Sequence, residues 1–335
     1  MIVRQIVALR SIKFVVQTTK INFKMLRDKI IEIFVKVDDF CNEFEIEYSK
    51  HQLLAPSNIK TRNRKAGLCD SEIITLLIAF HGGQFRNFKH FYLHYISEHL
   101  KDDFPNLVSY NRFIELSHRS AIAFMLFLHH CCKGECTGIS FIDSTVLRVC
   151  HNKRIKRNKT FKGFAEVGKS TMGWFFGFKL HLIINDKGEI LSFFLTKGNV
   201  DDRDAKTITN MTKDIFGKLF GDKGYISKAL SDLLFGNGIQ LITAVRKNMK
   251  SKALSNEEKL LLRKRSVIET VNDELKNICQ VEHTRHRSIS GFLLNIMAAI
   301  AAYSFFPKKP SIKRDIEETN PQLLRNFKQQ LLLAA

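Results

Sequence analysis

Three acidic residues occupy settings that suit catalysis better than a solvated surface. Asp143 follows Phe141 and Ile142 in an apolar run, where an ionised carboxylate needs a partner or a metal ion. Asp222 ends a second apolar run, the point at which open α/β sheets place their reacting groups. Glu269 lies within a helical pattern. Because two hard cations roughly 4 Å apart and held by carboxylates can drive phosphoryl transfer, the three acids predict a site for two Mg²⁺ or Mn²⁺ ions.

Each of these acids also has a purely structural interpretation. Asp143 can be satisfied by neighbouring hydroxyls or backbone N–H groups, and Asp222 can simply stabilise a turn. Glu269 can pair with Arg265 on a solvated helix, an interaction worth only about a few tenths of a kcal/mol. Taken alone, the helix favours this structural interpretation. The occurrence of all three acids in one chain favours the metal site.

Basic and aromatic residues flank the three acids. Arg265 and Lys276 lie four residues before and seven residues after Glu269, so a helix places all three on one face. Lys223 and Tyr225, beside the second aspartate, supply a cation and a phenol that suit phosphate. The first aspartate is followed by seven basic residues, Arg148, Lys153, Arg154, Lys156, Arg157, Lys159 and Lys162. These residues are predicted to contact DNA phosphates.

The overall charge indicates the same kind of partner. The 335 residues include 53 Lys and Arg against 33 Asp and Glu, which leaves a formal net charge of +20. Such an excess predicts a polyanion as partner. The predicted phosphoryl-transfer site indicates double-stranded DNA as that polyanion. A ribosome-associated or merely basic protein is the alternative that charge alone leaves open.

Composition also predicts where the protein is found. The most apolar window, Gly291 to Phe306, is shorter than the roughly 18 to 20 residues of a membrane span and is predicted to be a core helix. The seven cysteines form no CxxC pair, which favours the reducing cytoplasm, with a nucleoid association through DNA. The adjacent histidines and cysteines of His129–Cys136 do not match the ligand spacing of a zinc site.

The elements that would position the acids fall into two parts. Residues 1–24 are predicted to be a poorly ordered extension, and 25–135 an all-helical, DNA-binding domain. One helix is expected to start at Asp70 or Ser71 and stop at Gly82, and a later one carries Arg112, a side chain able to reach phosphates or base edges. The pattern fits a helix-turn-helix or a plain helical bundle equally well.

From Gly138 onward the pattern changes to β-branched and aromatic runs, which are typical of strands. The predicted order is β-β-β-α-β-α-β-α, with a turn at Asn185–Gly188 and a last long helix over about 255–280. Residues 136–306 are therefore predicted to form a catalytic α/β domain with a mixed five-stranded sheet flanked by helices. Residues 307–335 are predicted to be a basic C-terminal tail.

At these residues the chain resembles the DDE transposases of bacterial insertion sequences. The resemblance extends from about Met25 to Phe306, and its most specific motifs are Arg265-x3-Glu269-x6-Lys276, Phe141–Thr145 and Gly221–Tyr225. Within that superfamily the chain is most similar to the insertion-sequence group numbered nine-eighty-two. That likeness is carried by Ser109–Phe113, Ile268–Asn272 and His283–Ser288.

The resemblance implies a fold and a reaction. The fold is RNase H-like, with strand order 3-2-1-4-5, which places Asp143 on the central strand beside Asp222. The implied protein binds the inverted ends of its element, cleaves DNA and transfers the 3′-hydroxyl ends to target DNA by two-metal catalysis, as a homo-oligomer on DNA. The alternatives are an RNase H-like nuclease or resolvase without strand transfer, and a non-catalytic DNA-binding regulator derived from a transposase.

Overall fold

A computed structural model describes residues 26–50, 67–83, 85–245, 254–282 and 286–312. The predicted extension (1–24) and most of the predicted tail (307–335) lie outside the described residues. Within the described part, the chain divides into two compact units. The first takes in the chain up to Phe127 together with Met297–Ala302, and the second takes in Leu128–Ile296 and the chain from Tyr303 onward.

The first unit is helical. Its elements are α1 (residues 26–50), α2 (Asp70–Gly82), α3 (Phe88–His90), a π-helical segment (Phe91–Ile96), α4 (Ser97–His99), α5 (Tyr110–Arg119) and the start of α6 (Ala121–Cys131). Buried aromatic side chains form much of its core, among them Phe80, Phe91 and Phe113. The apolar spacing that predicts helices thus corresponds to a continuous core.

Local signals set the ends of these helices. The predicted stop of α2 at Gly82 is confirmed, and the amide of Gly83 donates to the Ala79 carbonyl (2.8 Å). The predicted cap at Asp70 or Ser71 is wrong by one residue, because Cys69 is the N-cap and its amide donates to the Glu72 carboxylate (2.8 Å). That reciprocal contact is a capping box in which a thiol replaces the usual hydroxyl.

The second unit is built on a mixed sheet. Its strands are β1 (Ile139–Cys150), β2 (Glu166–Ser170), β3 (Gly173–Asn185), β4 (Ile190–Lys197), β5 (Gly217–Gly221) and β6 (Ile239–Thr243). β3 runs antiparallel to β1, β2 and β4, whereas β5 runs parallel to both β1 and β6. The predicted fold class is confirmed, and the order β4-β3-β1-β5-β6 is the expected 3-2-1-4-5.

One strand was not predicted, so the count of five is corrected to six. β2 contains a single large apolar residue, Val167, and its pattern therefore gives no strand signal. Pairing supplies what the pattern lacks: β2 lies against the first half of β3, with Val167 opposite Phe176. β4 pairs with the second half of the same strand.

Helices cover the sheet and present the third acid. They are α7 (Ala205–Met211), α8 (Lys228–Gly236), α9 (Asn256–Lys264) and α10 (Ser266–Asn277). The last helix, α11 (Ile289–Ser304), is divided between the units, with Met297–Ala302 in the first. The long helix predicted over 255–280 is interrupted at Arg265, where Ser266 and the β-branched Val267 and Ile268 have low helix propensity. The apolar window at Gly291 to Phe306 lies mostly in α11. None of the described helices is both long and apolar enough to cross a membrane.

Candidate active site

The two aspartates lie side by side because of how β1 and β5 pair. The strands run parallel, with Phe141 opposite Phe220. Continuing this register by two residues brings Asp143 next to Asp222, which directly follows β5. Neighbouring strands are roughly 4.8 Å apart, so the two aspartates are neighbours at the point where β5 ends. Asp222 is accordingly among the charges that act on Asp143.

The helix α10 packs on β1 and completes the surroundings of Asp143. The amide nitrogen Nδ2 of Asn272 donates to Oδ2 of Asp143 (3.0 Å). Glu269 lies three residues earlier on α10, on the same helical face. The contact of the buried Asn272 therefore fixes which face of α10 looks toward the aspartates.

The electrostatics of Asp143 place four charges in one neighbourhood. Burial raises the pKa of Asp143 to about 6, and the carboxylates of Asp222 and Glu269 add to the rise. The Arg265 guanidinium and the backbone N–H of Ser144 oppose it. An acid that is expensive to ionise, with two further acids near it, is the arrangement that a bound divalent cation would relieve.

The three acids do not converge on a single point in the structure. Glu269 is 57% exposed at its side chain, and its Oε1 accepts from Nη2 of Arg265 (2.7 Å). Within the described ranges, no group of three His, Cys, Asp or Glu side chains is close enough together to hold a metal ion. Two of the three predicted acids, Asp143 and Asp222, are therefore neighbours. The third, Glu269, is instead paired with Arg265.

The oxygen donors nevertheless fit a hard divalent cation. Asp143 lies on β1, and Asp222 directly follows the adjacent β5. Both are carboxylates, the ligand type that Mg²⁺ and Mn²⁺ prefer. Asp222 is oriented by the Gly224 amide, which donates to its Oδ1 (2.8 Å). Rotation of the exposed Glu269 side chain away from Arg265 would add a third carboxylate.

Lys276 is held by a different partner from the predicted one. Its Nζ lies 3.6 Å from Oε2 of Glu282. Oε1 of the same carboxylate accepts from the backbone N–H of Arg148 (3.2 Å). A phosphate contact by Lys276 therefore requires that it exchange Glu282 for DNA.

The predicted DNA contact of Tyr225 is corrected by its burial. Its side chain is 2% exposed and packs among Ile142, Leu219 and Leu230 in the core. Burial raises its pKa well above the ordinary value, with Asp143, Asp202 and Asp222 adding to the rise. The phenol oxygen of Tyr225 is buried and is therefore not exposed to a DNA strand.

The other two predicted contacts lie on the surface. Lys223 is exposed in a short 3-10 turn (Lys223–Tyr225) directly after Asp222. Arg112 is exposed on α5 in the helical unit, where its Nη1 pairs with Oε2 of Glu115 (2.7 Å). Both side chains can reach a ligand in solvent.

A fourth carboxylate near the site carried no predicted role. Oδ1 of Asp202 accepts from the Ser144 hydroxyl (2.9 Å) and from Nζ of Lys179 (3.1 Å), and Lys179 is only 13% exposed. Ser144 directly follows Asp143, so Asp202 braces the strand that carries the first acid. Its position in a loop gives no periodic signal, and only pairing of β1 with β3 brings Lys179 to it.

His181 is a core histidine whose burial has a measurable consequence. Its side chain is fully buried, and Nε2 bonds to the Thr196 hydroxyl (2.8 Å). Burial lowers its pKa to about 4, and Asp202 partly opposes this. The unfolded chain binds a proton below about pH 6.5 and the folded chain does not, so stability falls as the pH drops from about 6.5 to 4.

We therefore expect His181→Gln to remove part of the acid sensitivity of folding. The wild type should lose about 3 kcal/mol more than the variant between pH 7 and pH 4, because burial lowers the His181 pKa from its ordinary 6.5 to about 4. Denaturant unfolding at a series of pH values measures the difference, which is unaffected by a constant packing cost of the substitution. Parallel pH profiles for the two proteins would contradict the assignment.

Comparisons with known proteins concern mainly the second unit. Residues 133–289, just under half of the chain, match the family model described as Transposase DDE domain. This match supports a DDE transposase family and includes Asp143, Asp222 and Glu269. No curated protein matches the chain.

Among the solved structures that match, one covers most of this chain at low sequence identity. It is described as a cryo-EM structure of the piggyBac transposase synaptic complex with hairpin DNA. The two chains share 10% identity with a TM-score of 0.44, over 90% of this chain and 78% of that one. At that TM-score the likeness adds nothing to the family match.

Proposed function

We propose that the protein is a DNA transposase of the DDE type, a member of the insertion-sequence group numbered nine-eighty-two. It would bind the inverted ends of its element, cleave DNA and join the freed 3′-hydroxyl ends to target DNA. The observation that carries the proposal is the pairing of β1 with β5, which brings Asp143 and Asp222 together under a helix bearing Glu269. The family match over residues 133–289 supports it.

Three of these residues would bind the cations, and a fourth positions one of those ligands. Asp143, Asp222 and Glu269 would hold two Mg²⁺ or Mn²⁺ ions. Bound there, these ions would activate the attacking oxygen and stabilise the departing one. Asn272 orients the Asp143 carboxylate through its 3.0 Å hydrogen bond.

Arg265 has two possible partners in such a site. In the structure it neutralises Glu269 and lowers the cost of ionising Asp143. With DNA and cations bound, Glu269 would turn to the cations and the 20%-exposed Arg265 would contact a phosphate. The salt bridge is thus proposed to hold the third acid until the substrate arrives.

Binding is proposed to be shared between the two units. The helical unit, with Arg112, would recognise the element ends, because helical side chains can read base edges and phosphates. The second unit would hold the scissile region through Lys223, Arg265 and Lys276. Assembly on DNA would be as a homo-oligomer, and the protein would be found in the cytoplasm with the nucleoid.

The DNA that flanks the coding region provides the test. Labelled duplexes from each flank are incubated with the full chain in Mg²⁺, with and without a supercoiled target plasmid, and EDTA as control. We expect cleavage at short inverted repeats and covalent joining of the label to the plasmid. Cleavage without joining would indicate a nuclease or resolvase, and sequence-specific binding without cleavage would indicate a regulator.

Arg265 and Lys276 yield a prediction about binding. We expect Arg265→Ala and Lys276→Ala each to flatten the plot of log K against log salt by roughly 0.9 for duplex ends, as the loss of one phosphate contact implies. Binding is measured in Ca²⁺ to suppress turnover. The control is Lys50→Ala, which removes a cation from a comparable ion pair with Glu47 (2.7 Å) in α1. Slopes equal to the wild type would leave both residues as structural partners of Glu269 and Glu282.

A further inference from the structure

The hairpin formed by β2 and β3 exposes apolar side chains near its turn. Met172 is 84% exposed, and Trp174, the chain's single tryptophan, is 61% exposed. Neighbouring large apolar side chains in solvent mark a binding surface more often than a lone one does. Lys169, opposite Trp174 in the pairing, has its Nζ 5.7 Å from the centroid of the indole ring. That distance is within the range of a cation–π contact.

A basic turn is tied to the same hairpin. The 3-10 turn Asn152–Arg157 is joined to β3 by Nδ2 of Asn152, which donates to the carbonyl of Trp174 (2.8 Å). The turn and the loop after it expose six cations, Lys153, Arg154, Lys156, Arg157, Lys159 and Lys162. In the part of the chain that the structure describes, none of these six pairs with a carboxylate. An exposed indole thus lies on a strand bonded to an unneutralised basic segment.

We propose that this hairpin binds unpaired bases of single-stranded DNA, with the Trp174 ring stacked on a base and the six cations on the phosphates. Aromatic rings beside a basic track are the combination that binds single strands without regard to sequence. Without DNA, a second copy of the chain is a poor occupant of this surface, because each copy carries a formal charge of +20. The proposal deepens the proposed function, on which it rests, since a staggered cut at a DNA end leaves such unpaired nucleotides.

The single tryptophan makes the surface directly observable. The full chain in EDTA is titrated with oligothymidylate while the emission of Trp174 is recorded. We expect saturable quenching, because a stacked base quenches the indole to which it binds. With fluorescein-labelled oligothymidylate, Trp174→Ala should weaken binding by roughly 5- to 100-fold and Trp174→Phe by much less, since stacking by one aromatic ring acts on that scale.

Matched variants separate stacking from charge and from general apolar exposure. Lys156→Ala with Arg157→Ala should flatten the plot of log K against log salt by roughly 1.4, or about 0.7 per phosphate on a single strand. Phe235→Ala removes a 54%-exposed aromatic from α8, which packs on β6 at the opposite edge of the sheet. We expect that control to bind oligothymidylate as the wild type does.

Two results would overturn the proposal. One is unchanged affinity of Trp174→Ala for oligothymidylate. The other is Trp174 emission that changes with protein concentration and not with DNA, which would make the hairpin a contact between copies. Either result alongside normal cleavage of duplex ends would reject the hairpin site and leave the proposed function standing, whereas failure to bind duplex and oligothymidylate alike would reject both.

Discussion

Asp143→Asn is expected to abolish strand cleavage while leaving DNA binding intact. Asparagine keeps the size of the side chain and still offers an oxygen to Nδ2 of Asn272. It lacks the negative charge needed to hold a divalent cation. Loss of one essential member of a catalytic group lowers turnover by ~10⁴-fold or more, so single-turnover cleavage of labelled terminal DNA in Mg²⁺ should fall to background.

The same substitution should stabilise the metal-free protein at neutral pH. The pKa of Asp143 is raised to about 6 from 3.8, so the folded state holds a proton more tightly than the unfolded chain, and ionisation above pH 6 costs about 3 kcal/mol. This cost is absent below about pH 4 and is complete above pH 6. Asp143→Asn should therefore gain stability over the wild type as the pH rises through that window.

Denaturant unfolding in EDTA at pH 4 and pH 7.5 measures this gain. Asp232→Asn on α8 is the control, since it removes an aspartate of the same unit outside the proposed site. A variant that cuts DNA normally, or one that is destabilised at pH 7.5 relative to pH 4, would contradict the role and the environment assigned to Asp143. The effect of His181 has the opposite sign over an overlapping range, so each group is measured as a difference from the wild type.

Glu269→Gln is expected to lose cleavage to a similar extent for a different structural reason. The structure holds Glu269 against Arg265 (2.7 Å), and catalysis requires the carboxylate to leave that partner. Glutamine keeps the length of the side chain and cannot supply the third anionic ligand. Cleavage should fall by ~10³-fold or more, whereas the affinity for terminal DNA in Ca²⁺ should change by only a few-fold.

Asp273→Asn gives the matched control for Glu269. Asp273 is the exposed acid four residues later on α10, and it accepts from Asn277 (2.5 Å). Asp273 lies roughly 100° around the helix from Asn272, which contacts Asp143, so its loss should leave cleavage within about twofold of the wild type. If Glu269→Gln cleaved DNA as well as Asp273→Asn does, the only role of Glu269 would be its salt bridge with Arg265. The proposed catalytic residues would then be the two aspartates alone.

The sheet could be predicted because its strands carry strong local signals. Runs such as Phe141–Val146 contain β-branched and aromatic residues at the density of a buried strand, and their order along the chain limits the topology. β2 escaped because Glu166–Ser170 is polar and is held by pairing alone. The interruption of the long helix at Arg265 was also not predicted. Low helix propensity over two or three residues weakens a helix, but the helical spacing of apolar residues continues across it.

The acids of the candidate site could be proposed from the sequence, whereas the residues that position them could not. Asp143 stood out because a charge inside an apolar run is expensive, but nothing local marks Asn272 or Asp202 as its neighbours. Those contacts join residues far apart in sequence, and only the folded sheet and helix bring them together. Tyr225 failed as a predicted DNA contact because a residue type that suits phosphate also suits a core.

Counting bound Mn²⁺ by electron paramagnetic resonance tests the central claim most directly. The full chain is titrated with Mn²⁺ in the presence of pre-cleaved terminal DNA, which has no scissile bond left to cut. The wild type is compared with Asp143→Asn, Asp222→Asn and the control Asp232→Asn. Two tightly bound ions are expected in the wild type and the control, with at least one lost in each of the other two variants. Equal Mn²⁺ binding by all four proteins would show that Asp143 and Asp222 do not form the metal site.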